Sequence, residues 1–202
     1  MTIEVKNSIK PVDYVESIKM LEKRVDEVLS GKKNELLWIL EHETVYTGGT
    51  SSNTKDLLSK NIKIIKTNRG GKYTVHSPGQ KVVYFVLNLN KRDKDIRKLI
   101  NQIENCLINI LKEYKILSYA DKKNIGIWVN NRKIGAIGVR VKKWIAYHGF
   151  SININNNIKA YKKIIPCGIK NKNVSNLKLI KDQNYDELYN KIINNFIKNL
   201  EI

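Results

Sequence analysis

The feature that most constrains the fold is a pair of strand-like segments, IGIWV at 125–129 and RKIGAIGVRV at 132–141, joined only by Asn130–Asn131. Asparagine tolerates the left-handed backbone that a two-residue hairpin turn requires. The pattern therefore predicts an antiparallel hairpin with Lys133 near the start of its second strand. If that strand alternates strictly, Lys133 shares an otherwise apolar face with Gly135, Ile137, Val139 and Val141.

Elsewhere the chain carries both helical and strand-like apolar patterns. Helical spacing predicts helices over Val12–Ser30, closed by Gly31, and over Asp93–Tyr114. A terminal helical stripe runs from Tyr185 to Leu200, with Asp186 and Glu187 expected in its first turn. Short apolar runs predict strands, which are Leu36–Leu40, Ile62–Lys66, Val82–Leu89 and Trp144–Asn155.

Length and charge bound the class of protein. A chain of 202 residues with 42% hydrophobic and 28% charged residues suits one globular domain, expected to span 1–202. Lys and Arg total 37 against 19 Asp and Glu, a formal charge of +18. That excess favours an acidic partner such as nucleic acid, an anionic membrane surface or an acidic protein. The competing interpretation is general lysine enrichment, because the cations form no single basic tract.

Cysteine usage and the chain start exclude several classes. Cys106 and Cys167 are the two cysteines, too few for a disulfide framework or a cysteine metal site. The first residues resemble neither a signal peptide nor a transit peptide, and no apolar run reaches 18 residues. We therefore expect a cytoplasmic protein that does not bind to membranes. Cys106 lies beside the apolar stripe of a predicted helix, which indicates a packing role.

A glycine-rich segment, RGGKYTVHSPGQ at 69–80, is the first candidate binding loop. Arg69 next to two glycines would let the backbone approach a ligand while the guanidinium donates hydrogen bonds. A β-hairpin with a glycine bulge explains the same residues without a ligand, and Pro78–Gly79 predicts a turn in either case. His42 lies at a strand end, where a structural role is the simpler interpretation.

Lys133 and Cys167 are the candidate chemical groups. A thiol is nucleophilic as the thiolate, and a nearby ammonium would lower its pKa. Pro166 and Gly168 flank Cys167, so backbone N–H groups there could face an oxyanion. The alternatives are a buried inert cysteine and a lysine whose head remains in water. Only the fold can bring these two residues together.

Five segments in this order resemble the lipoyl(octanoyl) transferase family of lipoate synthesis over about residues 37–177. They are EHETVYTGGT at 41–50, RGGKYTVHSPGQ at 69–80, GIWVNNRKIGAIGVRV at 126–141, HGFSIN at 148–153 and PCGI at 166–169. The resemblance implies an α/β (α+β) fold with mixed sheets flanked by helices, similar to lipoate and biotin protein ligases. It implies that Cys167 carries the acyl group as a thioester and that Lys133 activates it.

The resemblance also implies a set of substrate-binding residues. They are Arg69, Gly70, Gly71, Lys72, Tyr73, Thr74, Val75, His76, Ala136, Ile137, Gly138, Gly149, Phe150 and Ser151. Val75 stands where the family usually has an aromatic residue, and Ser77 where it usually has glycine. Both departures flank His76, so they concern the shape of this loop.

The implied reaction moves an octanoyl group from octanoyl-acyl carrier protein to a lysine of a lipoyl domain, in 2-oxoacid dehydrogenase complexes or the glycine cleavage H protein. A thioester is already activated, so no cofactor, ATP or metal is expected, and we expect a monomer that does not bind nucleic acid. One alternative is an ATP-dependent lipoate or biotin ligase on the same fold, although the glycine-rich nucleotide loop of biotin ligases is absent. The other is a nucleic-acid-binding module, which would require a basic stripe with stacking aromatics.

Overall fold

A computed structural model describes residues 3–59, 61–166 and 173–200. Its helices are α1 (Tyr14–Leu29), α2 (Ile96–Glu113), α3 (Leu177–Ile180) and α4 (Leu188–Leu200), with short 3₁₀ helices at Thr54–Asp56, Leu89–Lys91 and Ile158–Lys163. Its strands are β1 (Ile3–Asn7), β2 (Glu35–Leu40), β3 (Val45–Gly48), β4 (Ile64–Lys66), β5 (Tyr73–His76), β6 (Gln80–Asn88), β7 (Tyr119–Ala120), β8 (Ile127–Val129), β9 (Arg132–Lys142), β10 (Ile145–Asn153) and β11 (Asn173–Val174).

The strands form one large and one small mixed sheet. The large sheet has the order β1-β2-β6-β10-β9-β8-β7, with β11 added alongside β9. The small sheet has the order β4-β3-β5. Parallel pairs (β1 with β2, β3 with β4, β9 with β11) occur among antiparallel ones. This is the α+β class with mixed sheets and covering helices that the family resemblance implies.

Helices cover the large sheet through two separate hydrophobic cores. The larger core joins β6 and β10 to α2 and α4, and in it the ring of Phe196 lies 5.9 Å from that of Phe85 and 5.6 Å from that of Phe150. The second core packs α1 on other strand residues, Trp38 and Tyr84 among them. β6 supplies both cores because successive side chains point to opposite faces of a strand.

The central hairpin forms as predicted. Asn130 and Asn131 have φ of 45° and 61°, and Val129 pairs with Arg132 directly across this two-residue turn. Strict alternation in β9 is wrong, however. The β8–β9 register shifts between Ile127 and Trp128, and Ile134 lies in the core against which Ile137 also packs. The irregularity turns Lys133 away from that core.

One alternative and one expectation need correction. The alternative of a hairpin at the glycine-rich segment is wrong, because β3 lies between β4 and β5 and pairs with both. Asp186 and Glu187 precede α4, which begins at Leu188, so neither belongs to its first turn. The predicted helices at α1 and α2 are confirmed, and each begins with an aspartate whose carboxylate accepts first-turn N–H groups, Asp13 and Asp95.

Within the described part of the chain, no helix combines the length and the apolar character needed to cross a membrane.

Candidate active site

A largely apolar cleft lies between the 69–74 loop and the paired strands β9 and β10. All of the predicted substrate-binding residues except Val75 line it. β9 and β10 contribute facing residues, since Gly138 pairs with Gly149, Ile137 with Phe150 and Ala136 with Ser151. Four lining residues were not predicted, and these are Tyr14, Val82, Tyr84 and His148.

Val75 lies away from the cleft. Thr74 and His76 line the cleft, whereas Val75 points to the other side of β5 and is fully buried with Tyr46 and Ile164. Tyr73, on the same side as Val75, contacts both the cleft and this core at the start of the strand. The departure of Val75 from the family pattern therefore affects the packing of the small sheet. The predicted contact of Val75 with substrate is not supported by its position.

Arg69 holds the cleft loop together. Its Nη1 donates to Gly70 O (2.9 Å), and its Nη2 donates to Thr47 Oγ1 (2.8 Å), Thr47 O (3.2 Å) and Lys72 O (2.9 Å). The loop is also tied to β9, because Gly70 N donates to Val139 O (3.3 Å). The guanidinium thus satisfies carbonyls of the turn, and its Nε is buried without a partner.

A cluster of all three histidines and two tyrosines borders the cleft. The His42 ring lies 5.2 Å from Tyr14, 5.6 Å from His76 and 5.7 Å from Tyr84. His42 Nδ1 donates to Val12 O (2.7 Å), so its Nε2 accepts from Tyr84 OH (2.9 Å). These contacts confirm the structural role predicted for His42.

The histidines are held in the neutral form. Burial, and then the neighbouring His42 and Arg69, which disfavour a second positive charge, lower the pKa of His76 to about 3. Burial and the charges of Arg69 and Arg140 lower the pKa of His148 to about 3 as well. Burial also lowers the pKa of His42. At neutral pH this side of the cleft therefore carries no imidazolium charge, which suits an apolar occupant.

His148 and Gly149 form an irregular step in β10. His148 has φ of 66°, which is uncommon outside glycine, and its Nε2 donates to Asn68 Oδ1 (2.6 Å). Gly149 has φ of 155°, and a Cβ there would lie 2.0 Å from Val83 O. This step places the imidazole at the cleft wall, with Nδ1 buried and without a partner.

Lys133 is buried in a small pocket that adjoins the cleft, with 7% of its surface exposed. Its Nζ donates to Ile125 O (2.8 Å) and lies 5.4 Å from the centre of the Trp128 ring. A Cβ on Gly126 would lie 2.5 Å from the backbone Gly135 O and 2.5 Å from Lys133 Cε, so the backbone contact and the φ of 136° both require glycine there. Gly126 N donates to the buried Glu104 Oε1 (3.3 Å). Burial raises the pKa of Glu104, and the nearby Lys133 charge opposes that shift.

The small pocket around Lys133 lies next to both the cleft and the residue that precedes Cys167. It shares Thr74, Ala136 and Ser151 with the cleft. Pro166, the residue before Cys167, lines it too. Cys167, Gly168 and Ile169 lie outside the described residues, so the predicted meeting of Cys167 and Lys133 stays a prediction.

The other cysteine is excluded as a nucleophile by its surroundings. Cys106 is buried in the main core, and burial raises the pKa of its thiol to about 12. A thiol in that state is almost entirely protonated at neutral pH. Among the described residues no group of three His, Cys, Asp or Glu side chains could hold a metal ion.

Comparisons with known proteins identify the family of the chain. The family model of the lipoyl protein ligase A/B catalytic domain matches residues 13–197. The chain belongs to this family. It is 42% identical over 170 residues to an octanoyltransferase of Wolbachia pipientis subsp. Culex pipiens, covering 82% of this chain and 83% of that one. It is 40% identical over 205 residues to an octanoyltransferase of Anaplasma phagocytophilum, covering 98% and 99%. The resemblance seen in the five sequence segments is therefore confirmed.

Solved structures show the same fold. A bipartite lipoate protein ligase from Thermoplasma acidophilum superposes with a TM-score of 0.74 at 14% identity, covering 100% of this chain and 85% of that chain. A biotin protein ligase from Aquifex aeolicus, in complex with biotin and ATP, gives a TM-score of 0.56 at 18% identity, covering 98% and 70%. These likenesses confirm the predicted fold class, and they say nothing about whether this chain uses ATP.

Proposed function

We propose that this protein transfers an octanoyl group from octanoyl-acyl carrier protein to a lysine of a lipoyl domain, through a thioester on Cys167. The observation that carries the proposal is the position of Lys133. It is buried in a pocket that shares walls with the apolar cleft and includes Pro166, next to Cys167 in the chain. The octanoyltransferase names of relatives at about 40% identity support the same reaction.

The cleft suits the acyl chain. Ile137 and Phe150 line it alongside neutral histidines, and burying each methylene contributes about 0.8 kcal/mol. The whole tail would then contribute several kcal/mol by the same rule. One methylene more or less changes little, so neighbouring chain lengths should be partial substrates.

The proposed chemistry has two half-reactions. The Cys167 thiolate attacks the thioester carbonyl, and the carrier thiol leaves with a proton. The ε-amine of the acceptor lysine then attacks the acyl-enzyme, forms the amide and returns the thiol of Cys167. As an ammonium Lys133 stabilises the thiolate, and as a proton carrier it serves both the leaving thiol and the incoming amine.

The proposal includes no ATP, no metal and no other cofactor, because the carrier thioester is already activated. The partners we propose are octanoyl-acyl carrier protein as donor and lipoyl domains, including that of the glycine cleavage H protein, as acceptors. A formal charge of +18 would accelerate encounters with acidic partners.

Intact-mass spectrometry after mixing with octanoyl-acyl carrier protein, without ATP, tests the function. Wild type and Cys106→Ser should gain one octanoyl group, and Cys167→Ser should gain none while staying folded. Loss of the adduct in Cys106→Ser alone would show that the nucleophile is assigned wrongly. An adduct that forms only with ATP and free octanoate would favour the ligase alternative.

A further inference from the structure

A groove with a basic rim adjoins the Lys133 pocket and shares no described lining residue with the cleft. It shares Tyr161, Pro166 and Val174 with that pocket. Its described lining includes Arg132, Lys159, Lys162 and Lys178 and contains no Asp or Glu. The cleft, the Lys133 pocket and the groove therefore form one continuous series along the molecule.

The cations are arranged along the rim. Lys159 and Lys162 are three apart on the 3₁₀ helix Ile158–Lys163, where residues i and i+3 align on one side. Both are exposed, as is Arg132 at the start of β9. Lys178 is paired with Asp182 (2.8 Å), so the rim charge rests mainly on the other three. A doubly charged phosphate or a phosphodiester fits such a rim.

Asn156 is the unusual residue of this groove. It is 2% exposed, and both Oδ1 and Nδ2 are buried without a hydrogen-bond partner. Its neighbours differ, because Asn153 Nδ2 donates to Ser175 O (2.9 Å) and Asn176 Nδ2 donates to Asn156 O (2.9 Å). The latter bond fixes the Asn156 backbone. Buried side-chain amides normally have partners, so this one indicates a ligand that supplies both a donor and an acceptor.

We infer that the groove binds the phosphopantetheine arm of the acyl donor, with Asn156 pairing with an amide of the arm and Lys159 and Lys162 facing its phosphate. The inference rests on the proposed function, which places the thioester beside Lys133. A secondary amide offers the donor and acceptor that Asn156 lacks, and the arm joins such amides to a phosphodiester. An acyl group in the cleft and a thioester at Lys133 leave the arm on the groove side.

Acylation kinetics with three donors test this. They are the octanoyl thioester of ethanethiol, which has no amide, octanoyl-pantetheine, and octanoyl-phosphopantetheine. Asn156→Leu should raise KM on the order of tenfold for the two pantetheine donors and leave the ethanethiol donor unchanged. Its Tm should not fall, because it removes an unpartnered polar group. Asn190→Leu, on the exposed surface of α4, is the control.

The phosphate contact is tested by Lys159→Gln/Lys162→Gln. This variant should weaken use of octanoyl-phosphopantetheine several-fold and leave octanoyl-pantetheine unaffected. Lys98→Gln/Lys112→Gln makes the same charge change on α2, outside the groove lining, and should behave as wild type. Equal losses with all three donors, or losses confined to the lipoyl-domain step, would overturn the inference.

A binding measurement separates this inference from the proposed function. Titration calorimetry with phosphopantetheine alone should show binding to wild type and weaker binding to Asn156→Leu. If no donor acylates Cys167, the proposed function fails, and the calorimetry still decides whether the groove binds the arm. Equal binding to both proteins, or none to wild type, would rule out the groove.

Discussion

Two cations, Arg69 on the loop against β9 and Lys133 in β9 itself, are used in opposite ways. Arg69 directs its Nη1 and Nη2 donors at loop carbonyls and the Thr47 hydroxyl, and so fixes one wall of the cleft. Lys133 is more deeply buried, and its ammonium donates to the carbonyl of Ile125. The peptide that follows this carbonyl is held in place because Gly126 N donates to Glu104. A guanidinium binds several acceptors at once and keeps its proton, whereas an ammonium can give one up. This difference is why we propose a scaffold role for Arg69 and a chemical role for Lys133.

The largest expected effect comes from removing the ammonium. Lys133→Ala should reduce acylation at neutral pH by about 100-fold or more, because the thiolate loses its counter-charge and the proton carrier is lost. Part of the rate should return at alkaline pH, where the thiol ionises unaided. Lys133→Arg keeps the charge, so Cys167 should still react with iodoacetamide while transfer to the amine stays poor.

Labelling of Cys167 with iodoacetamide against pH measures this directly in wild type and both variants, with Cys106→Ser as the background. Identical labelling curves for the three proteins would show that Lys133 does not activate Cys167. Lys133 would then have only a structural role, as Arg69 has.

Arg69→Ala should have a smaller and different effect. The loop carbonyls lose their donors, so the cleft wall loosens and KM rises by roughly tenfold, while slow acylation of Cys167 remains. Arg69→Lys should recover little, because an ammonium cannot reach the same set of acceptors. Complete loss of the acyl-enzyme in a folded Arg69→Ala protein would instead place Arg69 in the chemistry.

Arg69 and Lys133 also show how much of the site could be predicted from the sequence. The Asn130–Asn131 turn is local, so the hairpin and the position of Lys133 near the start of β9 could be predicted from it. The motif resemblance supplied most of the cleft lining, Arg69 included. The role of Arg69 depends on Thr47, and β3 reaches it by inserting between β4 and β5. That pairing is nonlocal and has no local signal, so the sequence left a hairpin open as the alternative to a binding loop.

The same limit explains the other misses. The register shift that turns Lys133 away from Ile134 and the core depends on pairing with β8. Tyr14 and Tyr84 reach the cleft from α1 and β6, and nothing in their own segments distinguishes them from core residues. His148 is different, because it adjoins Gly149 in the quoted HGFSIN segment, and a histidine beside a conformationally special glycine was a usable signal.

The neutral histidines that border the cleft make the protein sensitive to acid. The pKa of His148 is about 3 in the folded state against about 6.5 unfolded, so protonation favours unfolding. Its stability contribution is fully present above about pH 6.5 and is lost as pH falls from there towards 3. Between pH 6.5 and 5 the loss should be roughly 2 kcal/mol for this histidine.

Urea unfolding of wild type and His148→Asn at pH 7.5 and 5.0 measures this loss of stability. Asparagine tolerates the positive φ of this position and does not titrate. The variant should therefore lose about 2 kcal/mol less than wild type between the two pH values. Equal losses would mean that His148 is not held neutral by its surroundings.

The smallest expected effect is at Glu104, behind Lys133. Its carboxylate accepts from Gly126 N, and this contact positions the Ile125 carbonyl that Lys133 Nζ bonds. Glu104→Gln keeps an acceptor of the same shape and removes only the charge, so acylation of Cys167 should change by less than about threefold. Gly126→Ala is the contrasting variant, since its Cβ would lie 2.5 Å from the backbone Gly135 O and from Lys133 Cε, at a φ of 136°, and it should be severely impaired. Single-turnover acylation rates compare the two. A loss above tenfold in Glu104→Gln, with the fold intact, would show that Lys133 depends on the charge of Glu104 and not only on the backbone that this side chain holds.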